Sequence, residues 1–430
     1  MIELFNHVVK HKLCTGCGTC MGCCPTEALG MRLVRGGYYV PYLMDPSKCI
    51  QCGRCEAVCP GIRWDNAKLH TEWLDRLQFQ NDDLGPYHSC YVGFAADPSV
   101  RKRGASGGTI TAVLEHAFST GIIDGAVVTR MNGIYGTALI AHSVQEICNA
   151  AKSKYTPVHF GQVLRTIRNS HQRMGVVGLP CHIQGIRKAQ LGDSRLKENI
   201  AFCLGLFCGH NVGVDFTRFV LQKYRIPEKD VQSISYREVG WWNFSISIQY
   251  NGRLVFIPFR NSVFGINWNT FLFTPRRCLL CMDLTCESAD ISFGDAWLPK
   301  YEGEEIGKSV VVVRSEIGKQ LIGDMETMQK LVLTKVDAAT VARSQQGQIY
   351  FKKKQLIHRM GVMKVLLKKV PKFEIKEVKK FQFRYFPGIV LLLLYRSFCF
   401  LLYRIGLLRY MPPMVMKIYG KVQRFLKVTK

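Results

Sequence analysis

Cys14, Cys17, Cys20 and Cys24 are followed by Pro25, and Cys49, Cys52, Cys55 and Cys59 by Pro60. Both runs read Cys-x2-Cys-x2-Cys-x3-Cys-Pro, the second repeating the first 35 residues further on. Three thiolates at that spacing can wrap one iron–sulfur cube, while the turn ending in Pro carries the fourth to a second cube. The spacing therefore assigns Cys14, Cys17, Cys20 and Cys59 to one 4Fe-4S cluster, and Cys49, Cys52, Cys55 and Cys24 to the other. Zinc takes its ligands as two pairs and has no use for the third cysteine of each run. A disulfide framework would spread cysteines as pairs instead of packing them in ligand spacings. Cys23 is a ninth thiol with no place in either set. Two cubes close together pass single electrons, so the rest of the chain must explain what they feed.

Four more cysteines are candidates for metal ligation. Cys181 follows the apolar run MGVVGLP, and Cys208 follows IAFCLGLF, so each sits at the carboxyl end of an expected strand. Binding groups of open α/β sheets gather at those ends. Cys278 and Cys281 form a Cys-x2-Cys pair, with Cys286 nearby. Singly, such a thiol reads first as a buried apolar residue. A chelating pair plus two singles completes a set of four, and a third iron–sulfur cluster suits a chain that already carries two better than zinc does.

These residues need elements to hold them. The first segment, with Gly36-Gly37 between two short apolar runs, predicts a β-hairpin between the cysteine motifs. From Cys90 onward, strand-like and helix-like runs alternate: SCYVGFAAD, then a Gly-rich loop opening onto ITAVLEHAFSTG with Gly121 at its end, then IIDGAVVTRM. A Gly-rich loop at a helix N-terminus suits a phosphate, although SGGT also occurs in turns for steric reasons alone. There is no Walker loop and no GxGxxG after a strand, so an ordinary Rossmann dinucleotide site is not expected. With 47% apolar residues the chain can fill a full core. MIELFNHVVKHK has no long apolar stretch and so is not a secretory signal. Free thiols in ligand spacings point to a reducing cytoplasm.

In order, GASGGTITAVLEHAFSTGIIDGAVV, AAKSKYTPV, VVGLPCHIQGIRK, GLFCGHN and CLLCMDLTCESADISFGDAW resemble the beta-subunit family of coenzyme F420 hydrogenases and dehydrogenases. The resemblance runs from about residue 90 to 315 and implies a flavoprotein, with FAD in the α/β body beside one 4Fe-4S cluster. It implies FAD contacts from Ser106, Gly107, Gly108, Thr109, Lys154 and Tyr155, and cluster ligation by Cys181, Cys208, Cys278 and Cys281. Cys203 and Cys286 match no ligand position. Lys154 reads equally well as a solvated surface lysine. His182 and His210, each beside a cluster cysteine, are expected to be structural. No catalytic residue is assigned. The family includes bacterial members associated with surface-polysaccharide biosynthesis, so it fixes the chemistry better than the substrate.

The net charge of +26 is concentrated at the C-terminus: residues 350–430 hold 20 Lys and Arg against 2 Glu. There Leu356, Met360, Met363, Leu367 and Val370 form an apolar helical stripe. Val415, Ile418, Val422 and Phe425 do the same against Lys417, Lys421, Arg424 and Lys427. Between them, residues 389–408 contain 13 Leu, Ile, Val and Phe, but also Arg396 and Arg404. On an insertion scale the apolar residues contribute roughly −4 to −8 kcal/mol and the two arginines cost about +5 to +7, which nearly cancels. Basic flanks on both sides also oppose a crossing. The expectation is an interfacial or shallow re-entrant helix pair on anionic lipid, the alternative a helix packed on the body. A basic excess lodged in an apolar tail argues against a nucleic-acid enzyme.

The expected architecture is thus an α+β ferredoxin-like domain (residues 1–70), an α/β flavin-binding domain (85–345) and a helical, basic amphipathic tail (346–430). The expected activity is an oxidoreductase passing electrons between 4Fe-4S clusters and an organic substrate through FAD. Its partners would be a ferredoxin or other redox protein, a small-molecule or lipid-linked substrate, and an anionic membrane surface at the inner face of the cytoplasmic membrane. Two alternatives stand beside it: a subunit reducing coenzyme F420 or oxidising its reduced form on a membrane complex, and an electron relay with no substrate of its own.

Overall fold

The computed structural model describes residues 3–74, 79–366, 368–373 and 382–425, without the side chains of 413 and 423–425. Near the N-terminus, β1 (Leu29–Val34) and β2 (Tyr38–Leu43) pair antiparallel between the two cysteine motifs. Gly36 and Gly37 make the turn at φ 103° and 76°, a backbone region that Gly occupies without strain. A Cβ on Gly37 would also sit 2.5 Å from the Val214 and Asp215 nitrogens. The expected hairpin is therefore present, and its tip is pressed onto the body.

The body is built on eight further strands and a three-stranded layer. In chain order they are β3 (Ser89–Ala95), β4 (Gly125–Asn132), β5 (Tyr135–Ala141), β6 (Met174–Gly178), β7 (Ile200–Leu206), β8 (Val231–Glu238), β9 (Ser245–Tyr250), β10 (Arg253–Pro258), β11 (Ile291–Asp295), β12 (Ser309–Val313) and β13 (Leu331–Val336). The large sheet has the order β13-β3-β12-β11-β7-β6-β4-β5; β8, β9 and β10 form the smaller one. In the large sheet the central strands β11, β7, β6 and β4 are mutually parallel, and antiparallel strands flank them on both sides. Along the central strands Gly125–Val128, Met174–Val176, Phe202–Gly205 and Ile291–Phe293 are buried without a break, the pattern of strands covered on both faces. Parallel order places the ends of β6, β7 and β11 side by side, where binding groups collect.

The helices that matter for the site are α1 (Thr109–Ser119), α2 (Val144–Asn149), α3 (Gly161–Arg168), α4 (Pro180–Gly192) and α5 (Val214–Lys223). Gly121 follows the last turn of α1 at φ 71°, the left-handed C′ position expected of it. The cysteine domain is fastened to this body rather than hung from it. The Phe160 N–H donates to Cys17 O at 2.8 Å, and the Val214 N–H to Gly37 O at 2.7 Å. Arg277 donates to Pro60 O, and Lys188 to Arg63 O.

The tail continues as a helical turn (Tyr350–Lys354), α6 (Leu356–Val365), α7 (Phe386–Arg404) and α8 (Pro413–Phe425). Leu356, Met360 and Met363 are buried as their spacing predicts; Leu367 and Lys427 lie outside the described residues. The basic face expected opposite them is not solvated throughout, however. Lys352 and Arg359 are almost fully buried, and Lys353 is paired with Glu287. Backbone carbonyls, the Cys281 thiol and the Glu287 carboxylate supply the partners that let these cations leave water. α7 has the length and hydropathy to cross a membrane, yet it lies against the body. Ile389, Leu392 and Cys399 are buried, and Arg396 donates to Phe271 O and Thr274 O. Leu394, Phe398, Leu401 and Ile405 remain exposed along it.

His70, on the helix Asn66–Trp73, lies near Glu287 and Arg314 of the body and Lys353 of the tail. Burial holds its pKa down to about 4, with Glu287 acting the other way. Its folded pKa lies below the unfolded value, so between about pH 6.5 and 4 the unfolded chain takes up a proton that the native chain does not. Stability should fall as pH drops through that window, by at most about 1.4 kcal/mol per pH unit from this residue. Denaturant titrations across the window should give a flatter profile for His70→Leu than for the parent; parallel profiles would exclude His70 as a contributor.

Candidate functional site

Within the cysteine domain the two motifs exchange their fourth members. Cys14 lies among Cys59 and Cys17, and Cys20 among Cys17, Cys59 and Cys14. Cys24, by contrast, lines a small surface recess with Cys49, Cys52 and Cys55. Short helical turns, Thr19–Gly22 and Arg54–Ala57, present the third cysteine of each motif, each entered through a left-handed Gly. Burial raises Cys14, Cys20 and Cys59, the last to about 11, and neighbouring thiols push in the same direction. Dry thiols that oppose one another's ionisation suit a metal centre, because coordination removes their protons outright. Among the described residues no three His, Cys, Asp or Glu side chains close on one point as around a single ion. Cys24 differs: burial would raise it, but hydrogen bonds from Thr26, Ala28 and Leu29 leave it below the ordinary thiol value. Cys23 packs among Asp193 and Arg168, and burial pushes it up to about 12.

The second group of candidates comes together from three segments. Cys181 sits in the first turn of α4, just past β6, and Cys208 two residues past β7. Cys278 and Cys281 come from a helical turn at Arg276–Leu279 and the residues just after it. The four are neighbours: burial raises Cys181 most, and Cys208, Cys278 and Cys281 push it further, while burial takes Cys208 up to about 12. The tail adds a cation. Lys352 Nζ stands 3.5 Å from Cys281 Sγ and donates to Asp283 O at 2.7 Å. Burial works against its charge, but the thiols and Asp283 prevail and hold Lys352 protonated. Cys203 and Cys286 are buried next to each other, outside this set.

The three sets adjoin in series. Cys55 neighbours Cys20, and Cys17 neighbours Cys181. At one end Cys52 is exposed; at the other, Cys208 lines a cavity of about 730 Å³. The cavity lies over the carboxyl ends of β6, β7 and β11 and is bordered by Phe244 and Phe259, which flank the three-stranded layer. Its volume is in the range of organic ligand and cofactor sites.

The expected cofactor contacts are placed unevenly. Ser106, Gly108, Thr109, Lys154 and Tyr155 line the cavity, whereas Gly107 stands behind the loop and donates its N–H to Ser309 Oγ. Gly108 caps α1 at φ 72°, and a Cβ there would meet Val100 O at 2.7 Å. Lys154 is not a solvated surface side chain. Its ammonium donates to the Ala150, Ala151 and Lys152 carbonyls, closing the C-terminus of α2. His182 stacks on Phe160 and bonds Val158 O. His210 packs on Trp268 with ring centroids 4.2 Å apart, and burial holds it down to about 3. Thr109 Oγ1, Gln348 Oε1 and both His210 ring nitrogens are buried without a partner although their residues line the cavity. Buried polar atoms are normally satisfied, so these are places for a ligand's polar groups.

Arg237, on β8, organises one wall and has no signature in the sequence. It clamps both Asp295 oxygens, reaches Ala105 O at 2.8 Å and Tyr155 at 3.4 Å. Asp295 also accepts from Trp241, whose ring stacks on Trp297 at 4.9 Å. Asp295 and Trp297 belong to the motif FGDAW; their partners come from a strand and loop with no distinguishing pattern.

Residues 90–165 match the N-terminal model of the beta subunit of coenzyme F420 hydrogenase/dehydrogenase, and residues 171–339 match its C-terminal model. The chain belongs to this family. Residues 13–61 match a 4Fe-4S dicluster domain, which makes the N-terminal segment an iron–sulfur domain. The chain is 24% identical to the coenzyme F420-dependent sulfite reductase of Methanocaldococcus jannaschii, over 77% of this chain but only 49% of that protein. It is 25% identical to the coenzyme F420 hydrogenase subunit beta of Methanococcus voltae, over 56% of this chain and 82% of that one. With an F(420)H(2) dehydrogenase subunit of Methanosarcina mazei it shares 22% identity over 75% and 86%. A chain of the F420-reducing NiFe hydrogenase complex from Methanosarcina barkeri superposes with a TM-score of 0.54 at 19% identity, over 69% of this chain and 99% of that one. The fold is therefore that of this beta-subunit family.

The Arg237–Asp295 pair gives a test of how the wall is held. Asp295→Asn leaves a buried guanidinium without its counter-charge, which should destabilise the protein by about 3 kcal/mol, the low end for a broken buried pair because Asp295 is partly exposed. Denaturant unfolding measures it; a change below about 0.5 kcal/mol, the level of an ordinary surface substitution, would exclude the clamp as a structural element.

Proposed function

We propose that the chain is an oxidoreductase subunit that exchanges two electrons with an organic partner in the cavity and single electrons with a redox protein at the Cys52 surface. One observation carries this reading: three adjoining sets of cysteines run from an exposed edge to the cavity wall. Cys14, Cys17, Cys20 and Cys59 hold one 4Fe-4S cluster, and Cys24, Cys49, Cys52 and Cys55 a second. Cys181, Cys208, Cys278 and Cys281 hold a third.

FAD is the group proposed for the cavity. The loop at Ser106, Gly108 and Thr109 would receive its phosphates at the N-terminus of α1, and Tyr155 would border its ring. When bound, a flavin converts hydride chemistry into single-electron chemistry, which is what a series of clusters requires on one side and an organic substrate on the other. The residues around it exclude water: Phe244, Phe259, Trp268 and Trp297 line the cavity.

The relatives' names favour coenzyme F420 as the organic partner. Reduced coenzyme F420 would supply two electrons and a proton as hydride to a flavin held there, and oxidised F420 would take them back in the reverse flow. A lipid-linked or surface-polysaccharide substrate is the second reading. The apolar exposure of α7 and α8 supports it, since Leu394, Phe398, Val415, Ile418 and Val422 face outward in a basic segment. That composition suits the anionic inner face of the cytoplasmic membrane.

Anaerobically purified protein should carry about twelve irons, three cubes of four, and one flavin. Cys59→Ser should lose about four irons while the flavin stays. Mixing with reduced coenzyme F420 and an artificial single-electron acceptor should restore the absorbance of the oxidised deazaflavin; flavin-free protein with eight irons would leave only the relay. Liposomes containing anionic lipid should float the full chain at low salt and release it at high salt. Failure to bind at low salt would remove the membrane.

A further inference from the structure

Lys352 is a buried tail cation with no carboxylate hydrogen bond among the described residues. It is a lysine at 1% exposure, brought by the tail into the thiol-rich seam. Its neighbours Lys353 and Lys354 take ordinary carboxylate partners, Glu287 and Asp83. Lys352 takes a thiol and a backbone carbonyl instead: Cys281 Sγ at 3.5 Å and Asp283 O at 2.7 Å. Cys208, Cys278 and the Asp283 carboxyl also lie in its field. Burying an ammonium is costly unless a counter-charge lies nearby, and neither of these two hydrogen bonds ends on a carboxylate oxygen. The cysteine set lies closest to supply the compensating charge.

We propose that Lys352 is a positioning residue that raises the reduction potential of the centre held by Cys181, Cys208, Cys278 and Cys281. The inference rests on the third cluster proposed above. A fixed positive charge in a low-dielectric pocket favours the more negative, reduced state of whatever the thiolates hold. A hydrogen bond to a ligand sulfur acts in the same direction. The position within the series gives the shift a purpose. This centre stands between the cavity and the two N-terminal clusters, so raising its potential makes it the first stop for an electron leaving the cavity. The tail then becomes part of the redox machinery: Arg359, from α6, bonds Leu279 O, and Arg396, from α7, bonds Thr274 O, so these three tail cations grip the segment that carries Cys278 and Cys281.

The test is an anaerobic redox titration followed by electron paramagnetic resonance on full-length parent, Lys352→Gln and Lys352→Arg, with iron content measured on each. Gln keeps a donor for Asp283 O without the charge; Arg keeps the charge. With about twelve irons in each protein, Lys352→Gln should lower one of three midpoint potentials. At a fixed poise its ratio of reduced to oxidised centre should drop at least about tenfold, equivalent to about 59 mV for one electron, while Lys352→Arg stays near the parent. Loss of four irons in Lys352→Gln but not in Lys352→Arg would also support a charge requirement. An unchanged potential in Lys352→Gln at full iron content overturns the proposal and leaves the third cluster standing. Equal iron loss in both variants assigns Lys352 to packing and overturns it too. Eight irons in the parent overturns the third cluster itself, and the proposal with it.

Discussion

Burial of thiols is the constraint around which the rest of the structure is arranged. Cys20 and Cys59 are buried, and Cys14, Cys181, Cys208 and Cys278 partly so; burial raises all six thiols, and neighbouring thiols oppose one another's ionisation. A seam of ionised thiolates is stable only when something supplies compensating positive charge. Iron does so for the dicluster segment, and the protein adds its own cations around the edges. The same burial that makes the charges expensive would keep solvent away from electrons passing along the proposed series, so the energetic problem and the proposed function have one origin.

That requirement explains why the chain does not fall into three separable parts. The cysteine domain is hydrogen-bonded to the loop before α3 and to the start of α5, and the tail is threaded back to the Cys278–Cys281 segment. A ferredoxin-like module on a flexible linker would leave Cys17 at no fixed distance from Cys181. The eight-stranded sheet answers the complementary demand at the other end, by setting the ends of β6, β7 and β11 beside one cavity.

Much of this was legible in the residues. Two identical cysteine spacings imply an exchange of fourth ligands, and Cys59 does lie with the first motif and Cys24 with the second. The hairpin and the left-handed turn after α1 followed from local glycine chemistry. Less legible was anything that depends on a partner distant in the chain. Arg237 finds Asp295 across 58 residues, and nothing in SISYREVG announces it. The tail misled for a related reason. A run of Lys and Arg beside an apolar stripe ordinarily means a solvated face, but Lys352 and Arg359 are satisfied by a thiol and carbonyls that no local pattern could reveal. Lys154 is a milder case, its ammonium spent on closing a helix instead of facing the cavity alone.

The central claim is a continuous series of three redox centres from the surface to the cavity. Its most direct test is the paramagnetic resonance spectrum of the fully reduced, anaerobically isolated protein. The account predicts magnetic interaction between neighbouring centres, with the signal of the cavity-side centre simplifying when Cys14, Cys17 and Cys20 are replaced by Ser. Three independent signals, or a cavity-side signal indifferent to that replacement, would contradict it.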